Sequence, residues 1–248
     1  MDGTGVVFPG QGSQYPGMGR DFFLHFREGR DTFEEAGDTL GCDMASLCLE
    51  GPKEKLDLTV NTQTTILTVD IAAYRVFRSR TGITPEVFAG HSLGEYSALC
   101  AAGAIRFSDA LRLVQIRGRL QQEALSPGAG AMAAVMGLSR EETESACRTL
   151  LWETEEVLEV TGYNAPGQYV VSGHAGAVEG MIGKLKQRRG TVAIRLPISV
   201  PCHSSLLREA AERFRETLLG VPIDSCRIPV IPNCDPHRLH DRDSTVEL

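Results

Sequence analysis

Ser92 stands in Gly90-His91-Ser92-Leu93-Gly94, a G-x-S-x-G run. A short apolar stretch from Glu86 to Gly90 precedes it and reads as a strand. The Ala-rich segment after Glu95 reads as a helix. That context predicts a sharp strand-to-helix turn whose serine is presented as a nucleophile. Glycines on both sides keep neighbouring Cβ atoms from clashing. The Leu93 N–H, at the head of the helix, can then face a developing oxyanion. The plain alternative is a turn that happens to contain serine. A serine hydroxyl is a weak nucleophile and needs a base. His25, His91, His174, His203, His237 and His240 are the candidates. His91 lies in the turn and should point away from Ser92. His25, His174, His237 and His240 sit in polar surroundings and are expected to be solvated. His203 follows Pro201, which stiffens the loop, and precedes an apolar helix, so it is the candidate base; a structural histidine is the alternative. Cys202 is its neighbour in sequence, and adjacent side chains rarely meet, so a Cys-His pair is discounted.

Arg117 lies on a helix whose positions 113, 114, 117, 120 and 121 share a face. Leu113, Val114, Leu120 and Gln121 occupy the others. A guanidinium in that company needs an anion. An internal carboxylate, escape to solvent and a bidentate clamp for a substrate carboxylate all satisfy it. Arg119 faces elsewhere. In the loop Pro9-Gly10-Gln11-Gly12-Ser13, the exposed N–H of Gln11 could supply a second oxyanion donor.

These residues need elements to hold them. Gly5 to Phe8 reads as the first strand. Phe33, Ala36, Gly37 and Leu40 recur at helical spacing. Ile66, Val69, Ala73, Val76 and Phe77 make one stripe of a helix from Thr62 to Arg80, ended by Gly82. Ser108 reads as the N-cap of a helix reaching about Leu125, and Ser126-Pro127-Gly128 breaks the chain. Then come a strand (Ala131–Gly137), a Ser139/Glu142 capping box opening a helix to Trp152, strands at Val157–Tyr163 and Tyr169–Ser172, a helix at Ala175–Arg189 and a strand at Thr191–Leu196. The order β-α-β-β-α-β is the ferredoxin-like pattern. After Pro197 a helix from Ser204 to Leu219 and a strand near Val230 follow. The expected architecture is α/β: an α/β-hydrolase-like core from 1–126 and 197–248, with a ferredoxin-like subdomain inserted over 127–196.

The chain has 248 residues, 42% hydrophobic and 23% charged, so it can bury a sizeable core. Its net charge of −7 argues against a nucleic-acid binder. Seven cysteines, an odd count without a C-x-x-C pair, suggest neither a disulfide framework nor a zinc site. This reads as a protein of the reducing cytoplasm. The N-terminus lacks a signal-peptide pattern. The apolar run from Ala98 to Ile105 is too short to span a bilayer, so no membrane role is expected.

Five motifs in order carry a resemblance. They are Phe8-Pro9-Gly10-Gln11-Gly12-Ser13-Gln14, the run from Gly90 to Leu99, Arg117-Gly118, Tyr163-Asn164-Ala165-Pro166-Gly167-Gln168, and Val200-Pro201-Cys202-His203-Ser204. Together they closely resemble the malonyl-CoA:acyl-carrier-protein transacylase family of fatty-acid and polyketide synthesis, from the first strand to about residue 235. The resemblance implies that Ser92 carries malonyl as an ester and His203 is the general base. It makes Gln11 and Leu93 the backbone oxyanion donors and Arg117 the malonate clamp. Gln63 and Asn164 match polar site positions, and Met132 a pocket position. It implies a histidine oriented by main-chain carbonyls, so no triad carboxylate is expected between Ser92 and His203.

The resemblance also implies malonyl-CoA as substrate, no bound cofactor or metal, and a phosphopantetheinylated acyl carrier protein as partner. A monomer is expected. Leu93 is the usual malonyl-type residue at its position, whereas Gln121 stands where an apolar residue is common. Family members continue several dozen residues further, so a C-terminal segment is expected to be lacking, with Arg238 to Leu248 opening the helix before it. A thioester hydrolase and a non-catalytic interaction module are the competing readings. Lys184, Lys186, Arg188, Arg189 and Arg195 form the richest basic cluster, a surface for an acidic carrier or else a solvated helix face.

Overall fold

The structure, a computed structural model, describes residues 3–242 and 245. It contains two compact units, one made of Met1–Arg119 with Phe214–Leu248, the other of Leu120–Arg213.

The first unit carries β1 (Gly5–Phe8), α1 (Arg20–His25), α2 (Arg27–Leu40), α3 (Met44–Leu49), α4 (Lys53–Leu56), α5 (Thr59–Thr81), β2 (Val87–Gly90), α6 (Gly94–Ala101) and most of α7 (Phe107–Glu123). Among its described residues, β1, β2 and β7 (Val230–Ile231) form a parallel sheet in the order β1-β2-β7. Phe8 faces Gly90 in the register, so the loop after β1 and the turn after β2 leave the sheet side by side. Phe8, Tyr74 and Phe88 lock β1, β2 and α5 together, with ring centroids 5.3 to 6.1 Å apart. Each such aromatic pair adds about 1 kcal/mol beyond burial. β1 is an edge strand, and its Val7 is 74% exposed.

α5 is the central helix. Thr62, Thr64, Thr65 and Thr68 are buried along it, and their hydroxyls donate to carbonyls three, four or six residues back. Internal satisfaction of this kind is what lets polar side chains enter a core. Gly82, left-handed at φ 64°, ends the helix as expected. Asp70 is also buried on α5 and accepts from the Ser97 hydroxyl of α6 at 2.7 Å. Burial pushes its carboxyl up to about 7, against the opposing pull of the Ser97 bond. α7 begins one residue before Ser108. The Arg106 carbonyl accepts from Asp109 and Ala110, so Arg106, not Ser108, is the cap.

The second unit contains β3 (Gly130–Met136), α8 (Arg140–Thr154), β4 (Leu158–Ala165), β5 (Gln168–His174), α9 (Ala175–Lys186) and β6 (Val192–Arg195). Its antiparallel sheet runs β4-β5-β3-β6, the strand order of a ferredoxin-like fold. The capping box at Ser139 and Glu142 forms in both directions. One face of the sheet, with Ala131, Ala133, Val135 and Val171, packs under Val178, Met181 and Leu150 of the helices. Met132 and Val170 point to the other face by strand alternation. There they pack with Leu125, Leu196, Ile198, Val200, Cys202 and Leu207. These contacts make the compact unit wider than the strands and helices of 127–196. A 3-10 turn (Ser205–Leu207) precedes α10 (Arg208–Leu219), which leads back into the first unit.

The helix expected from Arg238 does not form over 238–242, and residues 243, 244 and 246–248 lie outside the described ones. Instead the His240 N–H donates to the Val230 carbonyl at 3.0 Å, which ties the tail to β7. Among the described residues no helix is long and apolar enough to cross a membrane.

Candidate active site

β2 ends at Gly90 and α6 starts at Gly94, so the backbone must pass from strand to helix within three residues. It does so through Ser92 at φ 50°, in the left-handed region. Such a conformation costs a non-glycine residue about 1 kcal/mol or more and persists only when its surroundings enforce it. The turn is packed tightly against its neighbours. A Cβ on Gly90 would stand 2.0 Å from the Gly94 carbonyl, and one on Gly94 would stand 2.3 Å from the Phe8 oxygen. Leu93 is fully buried in the core and anchors the turn from below. Ser92 is left half-buried at the N-terminal end of α6.

Arg117 reaches this serine from α7. Its Nη2 lies 3.3 Å from Ser92 Oγ, and its Nη1 donates to Gln63 Oε1 at 3.1 Å. The guanidinium carbon sits 5.7 Å from the Tyr96 ring centroid, within cation–π range. Gln63 is buried on α5. Gly118 permits this geometry, since a Cβ there would meet Val60 Cα at 2.7 Å, and α7 could not rest on the first turn of α5. Among the described residues no carboxylate pairs with Arg117; its partners are an amide, a hydroxyl and a ring. A half-buried cation beside a serine, held by neutral groups, has the chemistry to receive an external anion. Arg119 is exposed, as expected.

Gln11 lies in the loop after β1, and its amide donates to Thr59 Oγ1 at 3.3 Å. The loop is fixed from within. Gln14 accepts from Gly12 N–H at 2.8 Å and donates to Asp57 at 2.8 Å, and Ser13 Oγ donates to the Gly10 carbonyl at 2.8 Å. Ser92, Leu93, Gln11, Gln63 and Arg117 thus all belong to the first unit.

His203, Asn164 and Met132 belong to the second unit. His203 is exposed and, like Ser92, left-handed, at φ 64°. Its loop is pinned on both sides. Pro201 presses on Gly130, where a Cβ would stand 2.3 Å from the proline ring. The Ser204 hydroxyl donates to the Pro201 carbonyl at 2.7 Å, and the Ser205 N–H donates to Glu159 at 2.6 Å. Met132 is buried beneath this loop with Val200 and Cys202. Asn164 is exposed near the end of β4.

Residues 6–238 match the family described as an acyl transferase domain. The chain belongs to that family. The acyltransferase is 42% identical to the malonyl CoA-acyl carrier protein transacylase of Escherichia coli (strain K12) over 229 residues, 92% of this chain and 74% of the relative. It is 42% identical to that of Haemophilus influenzae over 231 residues, 93% and 73% of the two chains. Among solved structures, the transacylase of Coxiella burnetii superposes with a TM-score of 0.92 at 40% identity, covering 96% of this chain and 75% of that one. A malonyl-transacylase solved in complex with its type II PKS acyl-carrier protein gives 0.92 at 38% identity, covering 99% and 78%. The α/β class expected for the acyltransferase agrees with these neighbours.

Two expectations about its polar residues need correction. His240 is not solvated. It is 5% exposed, and its Nε2 lies 2.5 Å from Glu95 Oε1. His174 is half-buried, and its Nδ1 accepts from the Val157 N–H at 2.9 Å. A polar stretch of sequence does not reveal a partner 145 residues away. The basic cluster is also largely neutralised in place. Lys184 pairs with Glu153 and Arg188 with Glu142, each at 2.5 Å, and Arg195 pairs with Glu179. Sequence reasoning missed Asn233, whose side chain reaches the Ser92 turn; no local motif marked it.

Proposed function

We propose that this acyltransferase transfers malonyl from malonyl-CoA to the phosphopantetheine thiol of an acyl carrier protein through an ester on Ser92. The observation that carries the reading is Arg117, a cation with neutral partners 3.3 Å from the nucleophile. In a malonyl ester one methylene separates the two carboxyl carbons, so the free carboxylate stays within a side chain's reach of Oγ.

His203 takes the Ser92 proton as Oγ attacks the thioester carbonyl. The oxyanion rests on the N–H groups of Gln11 and Leu93. The C–S bond breaks, and CoA leaves as a thiol with the proton from His203. The carrier thiol then attacks the ester, and Ser92 recovers its proton as malonyl departs. Gln63 orients the guanidinium, Asn164 adds a polar contact to the acyl group, and Met132 supports the His203 loop from beneath. Residues 1–126 and 197–248 serve as the catalytic core, with 127–196 as its inserted subdomain. The enzyme works in the cytoplasm as a monomer, without a bound cofactor.

The fate of the acyl group tests this reading against thioester hydrolysis. With malonyl-CoA and phosphopantetheinylated carrier protein, malonylated carrier should accumulate with ping-pong kinetics. Release of free malonate with the carrier unlabelled would make the chain a hydrolase.

A further inference from the structure

Between the end of β2 and the start of α6, the Gly90 carbonyl and the Ser92 N–H turn away from regular ladder and helix partners. One side chain takes both. Asn233 Oδ1 accepts from the Ser92 N–H at 3.0 Å, and Asn233 Nδ2 donates to the Gly90 carbonyl at 2.8 Å. A carboxamide offers an acceptor and a donor side by side, which an ionised carboxylate does not. Its orientation is fixed by Glu95, whose Oε2 accepts from both the backbone N–H and the Nδ2 of Asn233. Glu95 is held in turn by His240, 2.5 Å away, whose side chain is 1% exposed. The exposed Asn233 is therefore anchored from its buried side.

We propose that Asn233, oriented by Glu95 and His240, is a positioning residue that clamps Ser92 in the left-handed conformation presenting its hydroxyl. The inference rests on the function proposed above and concerns how the nucleophile is aimed. A turn freed from the clamp relaxes toward ordinary backbone geometry and moves Oγ, and misplacement of about 1 Å can cost about a hundredfold in rate.

Single-turnover acylation by malonyl-CoA, followed by intact mass, tests it. Asn233→Ala should slow the maximal acylation rate about 10- to 100-fold while the half-saturating malonyl-CoA concentration changes less than about twofold. A rate equal to wild type overturns the clamp. If Asn233→Ala does not fold, the isosteric Asn233→Asp carries the test. It sets a carboxylate against the Gly90 carbonyl and Glu95, and should be slowed at least about tenfold. Glu95→Gln in that background supplies a donor and should recover at least about threefold. An unslowed Asn233→Asp, or no recovery in the double variant, overturns the proposal. Wild-type protein that takes no malonyl defeats the proposed function instead, so the two failures are distinct.

Discussion

His203→Ala slows acylation of Ser92 by malonyl-CoA about a thousandfold, the range expected when a positioned general base is removed. The imidazole is exposed, and its loop is held by Pro201 against Gly130 and by Ser204 and Ser205 hydrogen bonds. The thermal midpoint of the variant should therefore stay near that of wild type. His203→Asn is a second form of the test, because asparagine tolerates the left-handed backbone at this position. It should show the same loss. Stopped-flow release of CoA measures both, and a loss under about tenfold would remove His203 from proton transfer.

Arg117→Ala costs about a hundredfold in malonyl transfer and much less in acetyl transfer. A charge-assisted contact to a carboxylate is worth about 3 kcal/mol, and about 1.4 kcal/mol corresponds to a factor of ten. Acetyl-CoA has no carboxylate to lose. The guanidinium also touches Ser92 and Gln63, so some loss common to both substrates is expected. The ratio of kcat/KM values for malonyl-CoA and acetyl-CoA separates the two effects. Equal losses for both substrates would leave Arg117 a structural role alone.

The geometry of the candidate site was readable where it depends on local rules. Gly90 and Gly94 flag the turn because no other residue fits the close approach of α6 to β1 and β2. Arg117 stood out because an arginine on an apolar helix stripe needs polar partners, and Gln63 and Ser92 supply them. The four-stranded lobe followed from periodicity and the capping box. The rest depends on tertiary partners that spacing does not encode. α1 buries no residue, and α3 and α4 are short, so they left little periodic signal. Asn233 sits 141 residues from the Ser92 N–H it caps, in a polar tail that looks solvated in isolation. The basic residues of α9 and β6 read as a free patch until Glu142, Glu153 and Glu179 are seen against them.

The acyl-enzyme itself is the most direct test. Wild-type protein exposed to malonyl-CoA without carrier should gain the mass of one malonyl group, placed on the peptide containing Ser92, and Ser92→Ala should gain none. An unmodified wild type, or a Ser92→Ala variant labelled to the same extent, would contradict the assignment of Ser92 as the residue that carries the acyl group.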